Sequence, residues 1–104
     1  MSKSKQSNLH EISGKILYVG QPESFVTKAG NTKSFRILVM EVYYGNYANP
    51  VSFEFGIMNM GQLNGINEGD WVTVSFALSG QKIVKDGKAR FYDKNIGLAV
   101  VKED

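Results

Sequence analysis

Short apolar runs, each bounded by Gly, Asn or Asp at intervals of about 10 to 15 residues, recur along the chain, and this spacing predicts β-strands rather than helices. From His10 to Val19, residues Ile12, Gly14, Ile16 and Tyr18 fall on one face. A glycine in mid-strand predicts the bend of a barrel strand that serves two sheets. A turn at Gln21-Pro22-Glu23 follows, and Phe25-Val26 then leads to Lys28-Ala29-Gly30-Asn31. That tetrapeptide reads as a hairpin, because Gly and Asn tolerate the positive φ such turns require. A second strand over Lys33 to Tyr43 sorts Phe35, Ile37 and Val39 to one face and Arg36, Leu38 and Met40 to the other. Both faces are partly apolar. The first is taken as the core side, which leaves Leu38 and Met40 outward.

A loop from Tyr44 to Pro50 precedes the most regular alternation in the chain, with Val51, Phe53 and Phe55 separated by Ser52 and Glu54. It predicts a half-buried strand. Met58 to Leu63 fits a short helical turn, while Gly56, Gly61, Gly65 and Gly69 exclude a long helix. A fourth strand over Trp71 to Leu78 turns Val72, Val74 and Phe76 inward and Trp71, Thr73 and Ser75 outward. Lys85-Asp86-Gly87-Lys88 carries the Asp-Gly pair suited to a type I′ hairpin, and a last strand runs from about Arg90 to Val101. No internal repeat or second domain is visible. The expectation is an all-β domain over 10–104 behind a flexible segment, 1–9. Five strands with a helical turn between the third and fourth is the element order of an OB-fold Greek-key barrel. A small sandwich or an SH3-like barrel fits the same pattern.

With 104 residues the chain can bury a core without a metal or disulfide. It has no cysteine, which excludes disulfides, zinc knuckles, iron–sulfur clusters and thiol nucleophiles. Met1 to Asn8 is polar and carries Lys3 and Lys5 without an apolar stretch, so neither a signal peptide nor a membrane anchor is expected. The chain reads as cytoplasmic, without a cofactor. Catalysis is not expected either. His10 is the single histidine, no Gly-x-Ser-x-Gly elbow occurs, and the stretch Gly80 to Lys88 has the wrong spacing for a phosphate loop, with Ala89 where Ser or Thr would bind magnesium.

The net charge of +2 says little, but its distribution says more. Lys28, Lys33 and Arg36 stand together without an acid, residues 37–81 hold Glu41, Glu54, Glu68 and Asp70 without a base, and residues 82–94 hold five bases against Asp86 and Asp93. The two basic blocks fall on the hairpins joining strands one and two and strands four and five, the loops that flank the ligand groove of an OB-fold. This placement favours the OB reading over its rivals. Single-strand binding requires cations for phosphates and flat side chains for unpaired bases. The candidate phosphate contacts are Lys28, Lys33, Arg36, Lys82, Lys85, Lys88 and Arg90, and the candidate stacking residues are Tyr43, Tyr44, Tyr47, Phe91, Tyr92 and Trp71. The rival reading is a protein-interaction or oligomerisation module built on the Tyr43 to Tyr47 loop and the outward Leu38 and Met40.

Lys28-Ala29-Gly30, Ile37-Leu38-Val39, Pro50-Val51-Ser52-Phe53-Glu54-Phe55-Gly56 and the run Ile66 to Phe76 resemble a mostly uncharacterised family of small OB-like domains of bacteria and phages, related to single-stranded DNA-binding proteins. The resemblance covers about residues 10 to 101. It implies the OB-fold, single-stranded DNA as partner with RNA as the second candidate, low sequence specificity, and work in replication, recombination or repair. Bacterial single-strand binders usually carry a long tail with an acidic tip, whereas this chain stops at Lys102-Glu103-Asp104. Recruitment through a tail is therefore not expected, and a phage-encoded protein in the host cytoplasm would fit. A homodimer or larger assembly is expected, since oligomers lengthen the binding path.

Overall fold

The structure, a computed structural model, describes residues 7–103. Its elements are β1 (His10–Val19), β2 (Glu23–Val26), β3 (Thr32–Tyr44), β4 (Tyr47–Gly56), a single-turn 3-10 helix (Met60–Leu63), β5 (Trp71–Lys85) and β6 (Lys88–Lys102). The strands follow the order β1-β5-β6-β4-β3-β2, and β1 also pairs with β3. That second pairing closes β1, β5, β6, β4 and β3 into a five-stranded barrel, with β2 added along the β3 edge. Among the described residues no helix is long and apolar enough to cross a membrane.

β1 closes the barrel by serving two neighbours in turn. Its first half, His10 to Lys15, pairs with β5, and Lys15 to Val19 pairs with β3. At the changeover a Cβ on Gly14 would overlap the Glu41 carbonyl, so only glycine permits this approach of β1 and β3. A register shift between Ile16 and Tyr18 reverses the alternation. Ile16 is fully buried, but Tyr18 is exposed and Val19 packs on the core in its place. Tyr18 therefore leaves the face it was expected to share with Ile16, because a bulge inserts an extra residue and turns the rest of the strand over.

The core consists of Ile16, Leu38, Met40, Val42, Phe53, Phe55, Leu63, Val72 and Val74, and no polar side chain is buried among the described residues. The expected inward positions of β4 and β5 are met by Phe53, Phe55, Val72 and Val74. On β3 the expectation fails: Leu38 and Met40 are fully buried, and Phe35, Ile37 and Val39 face outward. The reason is register. Leu38 lies opposite Phe53 and Met40 opposite Val51, and opposed residues of an antiparallel pair share a face, so the unambiguous pattern of β4 decides the ambiguous one of β3. The outward Leu38 and Met40 on which an interaction surface was based do not exist.

Several further boundaries differ from expectation: Glu23–Val26 forms a strand beyond the five expected, and the strand expected to end at Leu78 continues to Lys85. The loop at 44–50 shrinks to Gly45-Asn46, with Tyr44 opposite Tyr47 and Glu41 opposite Pro50. Pro50 is tolerated because β4 meets β6 only at Glu54 and Phe55, which leaves its other edge free there. Residues 1–6 of the expected flexible segment lie outside the described residues. Within the remainder, Asn8 exchanges two hydrogen bonds with the Leu78 backbone, at 2.8 and 2.9 Å.

β5 and β6 extend well past the barrel as a two-stranded arm. Their pairing runs unbroken from Leu78 opposite Asn95 to Lys85 opposite Lys88, a reach of about 25 Å. Asp86 and Gly87 close it with φ of 54° and 74°, the two positive values of a type I′ turn. The radius of gyration, 15.9 Å, exceeds the about 13 Å of a compact domain of this length, and the protruding arm accounts for the excess.

Candidate nucleic-acid interface

The outer face of β3 and β4 forms a shallow floor. Phe35, Ile37, Val39, Glu41 and Tyr43 on β3 stand opposite Gly56, Glu54, Ser52, Pro50 and Ala48 on β4. β2 walls one side, where the Phe25 ring meets Phe35 edge to face with centroids 5.9 Å apart. β6 walls the other with Lys94 and Ile96. Between them lies an open cleft of about 490 Å³ lined by Phe25, Lys33, Phe35, Glu54, Met58 and Lys94 among others.

The arm supplies a second, continuous surface. Strand alternation places Lys88, Arg90, Tyr92 and Lys94 of β6 on one face, with Lys85, Ile83 and Gln81 opposite them on β5. Ile83, Lys85, Lys88, Arg90 and Tyr92 line a hollow on this face. Lys94 joins the arm to the floor, because its Nζ lies 3.2 Å from Glu54 Oε1. The result is a stripe of alternating cations and an aromatic that runs from the arm tip onto the β3–β4 floor. Lys85 and Lys88 lie directly opposite one another, and like charges in that relation destabilise a hairpin; a bound anion would relieve the cost.

The structure divides the residues expected from sequence into three groups. Lys33, Tyr43, Lys85, Lys88, Arg90 and Tyr92 lie on the floor or the stripe. Lys28 is exposed on the β2–β3 turn, and Tyr44 and Tyr47 are exposed at the β3–β4 tip. The rest lie elsewhere. Lys82 and Phe91 occupy the opposite face of the arm, where Lys82 Nζ sits 6.0 Å from the Phe91 ring centroid. Trp71 is 48% exposed but stands at the start of β5, across from Lys15 on the outer β1–β5 wall, at the far end of β5 from the arm. Arg36 shares the parity of Leu38 and Met40 and is half-buried at the barrel end, with Nε donating to the Gly20 carbonyl at 2.9 Å and Nη1 donating to Asn64 Oδ1 at 3.0 Å. It was expected to face outward, and it does not.

Sequence reasoning missed Phe25, Ile37, Glu54, Met58 and Lys94 as site residues, and placed Phe35 in the core. Lys94 carries a readable signal, since it continues the every-second-residue series of Arg90 and Tyr92. Phe25, Glu54 and Met58 carry none, because only strand pairing and the turn after β4 bring them together.

The charge of the site is divided. Cations stand on the arm and at the β2–β3 side, whereas the floor holds Glu41 and Glu54. The Tyr43 hydroxyl donates to Glu41 Oε1 at 3.1 Å, and that hydrogen bond, with the nearby carboxylate charge, raises the Tyr43 pKa above its ordinary value. An uncharged, flat group is therefore better suited to the floor than a phosphate, and phosphates are better suited to the rims.

A closed five-stranded barrel of this topology, with a helical turn between its third and fourth barrel strands, is an OB-fold. Solved structures of the same fold include the mitochondrial single-stranded DNA-binding protein Rim1 of S. cerevisiae, at a TM-score of 0.68 and 13% identity over 94% of this chain and 96% of that one. The Plasmodium falciparum SSB in complex with ssDNA matches at 0.54 and 12% identity over 99% and 100% of the two chains. A small single-stranded DNA-binding protein from Streptomyces coelicolor matches at 0.54 and 14% identity over 95% and 96%. A search of curated proteins finds no match. The chain belongs to the family described as Domain of unknown function (DUF3127), whose model matches residues 11–98.

Proposed function

We propose that this protein is a non-catalytic binder of single-stranded DNA with low overall sequence specificity, serving DNA replication, recombination or repair. The observation that carries the reading is the stripe of Lys88, Arg90, Tyr92 and Lys94, which leads from the arm onto a floor presenting Phe35 and Ile37. Phosphates pair with the cations along the rims, and unpaired bases lie on Tyr92 and the apolar floor. A duplex would bring phosphates rather than base faces against Glu41 and Glu54, so the divided charge favours an unpaired strand. The solved structures of like fold, named as single-stranded DNA-binding proteins, support DNA as the polymer. A homo-oligomer that lengthens the path belongs to the same proposal, and light scattering tests it.

The test is anisotropy of a labelled oligonucleotide titrated with protein, competed with duplex DNA and with RNA of the same sequence. Expected are binding at low salt, steep weakening as salt rises, and poor competition by duplex. Absence of binding at low salt overturns the proposal.

A further inference from the structure

We propose that Glu54 makes its part of the groove a base-selective subsite, preferring bases with an exocyclic amino group over those with a carbonyl at the same position. The inference rests on the single-strand reading and narrows it at one point along the path. Glu54 has Ile37 opposite it on β3 and Ile96 beside it on β6, so a carboxylate whose one charged partner among the described residues is Lys94 stands between two aliphatic side chains on the floor. It lines both the Phe25–Phe35 cleft and the adjoining one formed by Ile37, Ser52 and Asn95. A strand passing from the β2 side toward the arm crosses it. The Glu54 side chain is 26% exposed, open to a base edge yet shielded enough for a polar mismatch to matter.

An ionised carboxylate accepts hydrogen bonds and donates none. Cytosine presents an amino donor at position 4, where thymine presents a carbonyl acceptor. With position 4 directed at Glu54, cytosine therefore satisfies the carboxylate and thymine sets an acceptor against it; the thymine N3–H reaches the carboxylate only if the ring turns away from that alignment. Lys94 does not reverse this. Its ammonium is turned to Glu54, at 3.2 and 3.4 Å from the two carboxylate oxygens, and a remaining N–H would meet the position-2 carbonyl that both pyrimidines share. Two carboxylate oxygens offer about four acceptor directions, so the ion pair leaves room for a base amine.

The experiment compares short oligocytidine, oligothymidine and oligo-N4,N4-dimethylcytidine deoxynucleotides by anisotropy at mildly alkaline pH, on the wild-type protein and on Glu54→Gln checked for folding by circular dichroism. Wild type should bind cytosine about tenfold tighter than thymine, as expected for one hydrogen bond to a charged group. The dimethylated base, which keeps the ring and loses the donors, should fall to the thymine level. Glu54→Gln, whose amide both donates and accepts, should bring cytosine and thymine within about twofold of each other. Thymine binding as tightly as cytosine to wild type, full affinity for the dimethylated base, or an unchanged preference in folded Glu54→Gln overturns the inference and leaves the single-strand reading intact. No binding of any oligonucleotide overturns that reading, and the inference with it.

Discussion

The Arg36 Nε donates to the Gly20 carbonyl at 2.9 Å, so this half-buried guanidinium ties the end of β1 to β3. Arg36→Ala should accordingly lower stability by about 1.5–3 kcal/mol, the range for hydrogen bonds involving a charged group. Affinity for an oligonucleotide in the folded population should change little. Arg36→Lys should not restore stability, because an ammonium cannot reproduce the forked geometry that reaches Gly20 and Asn64 together. Denaturant unfolding followed by anisotropy on each variant checks both halves.

The two faces of the arm should differ in their contribution to binding. Arg90→Ala or Lys88→Ala removes a cation from the stripe, and each should reduce the slope of log affinity against log salt by about 0.7, the value for one phosphate contact on a single strand. Lys82→Ala, on the opposite face beside Phe91, should leave the slope unchanged. Salt titrations of the three variants decide the point.

Stacking should follow the same division. Tyr92→Ala should cost about 1–3 kcal/mol of binding. Trp71→Phe should cost none, and tryptophan emission should respond weakly to bound DNA, because Trp71 stands at the far end of β5. A strong quench of Trp71 at saturation would place the strand on the β1–β5 wall instead of the β3–β4 floor.

Gly97 and Phe55 form a tight join in the core, where β4 and β6 run parallel. A Cβ on Gly97 would overlap the Phe55 ring, and Phe55 is fully buried with nowhere to move. Gly97→Ala should therefore destabilise by about 3 kcal/mol or slightly more, at the upper end of overpacking costs. Combined with Phe55→Leu the loss should be smaller than the sum of the two single losses, since the smaller side chain vacates part of the overlap. Thermal unfolding of the three variants measures the coupling.

Asp70 provides a pH-dependent contribution. The Asn67 backbone N–H donates to Asp70 Oδ2 at 2.8 Å. That bond holds the Asp70 carboxyl below its ordinary value; partial burial opposes the shift and Lys102 adds to it. With the folded pKa depressed, the native state binds fewer protons than the unfolded one across the carboxylate range. The contribution is present above the unfolded pKa and is lost as pH falls through the folded value. Asp70→Asn should flatten the acid limb of a stability-versus-pH profile and leave its shape near neutrality unchanged.

Much of the fold was legible in the sequence because it is encoded locally. The Asp86-Gly87 turn follows from the positive φ those residues tolerate, and the inward faces of β4 and β5 follow from clean alternation at Phe53, Phe55, Val72 and Val74. Alternation also sorted β3 into two sets, yet with both sets apolar it could not say which faces the core. The candidate site was less legible. The basic blocks were visible, but Arg36 and Lys82 belong to those blocks and not to the groove, while Glu54 carried no mark of the site at all.

The sequence by itself determined the five barrel strands in outline, their principal turns, the bend at Gly14 and the two stretches of chain where cations gather. Only the tertiary structure decided that Leu38 and Met40 are core, that Arg36 is a tie between strands, and that Glu54 meets Lys94 on the floor. The physical reason is that a period of two assigns a residue to a face, whereas the identity of that face is set by hydrogen-bond register between strands distant in sequence. Leu38 opposite Phe53 and Glu54 beside Ile96 are such pairings.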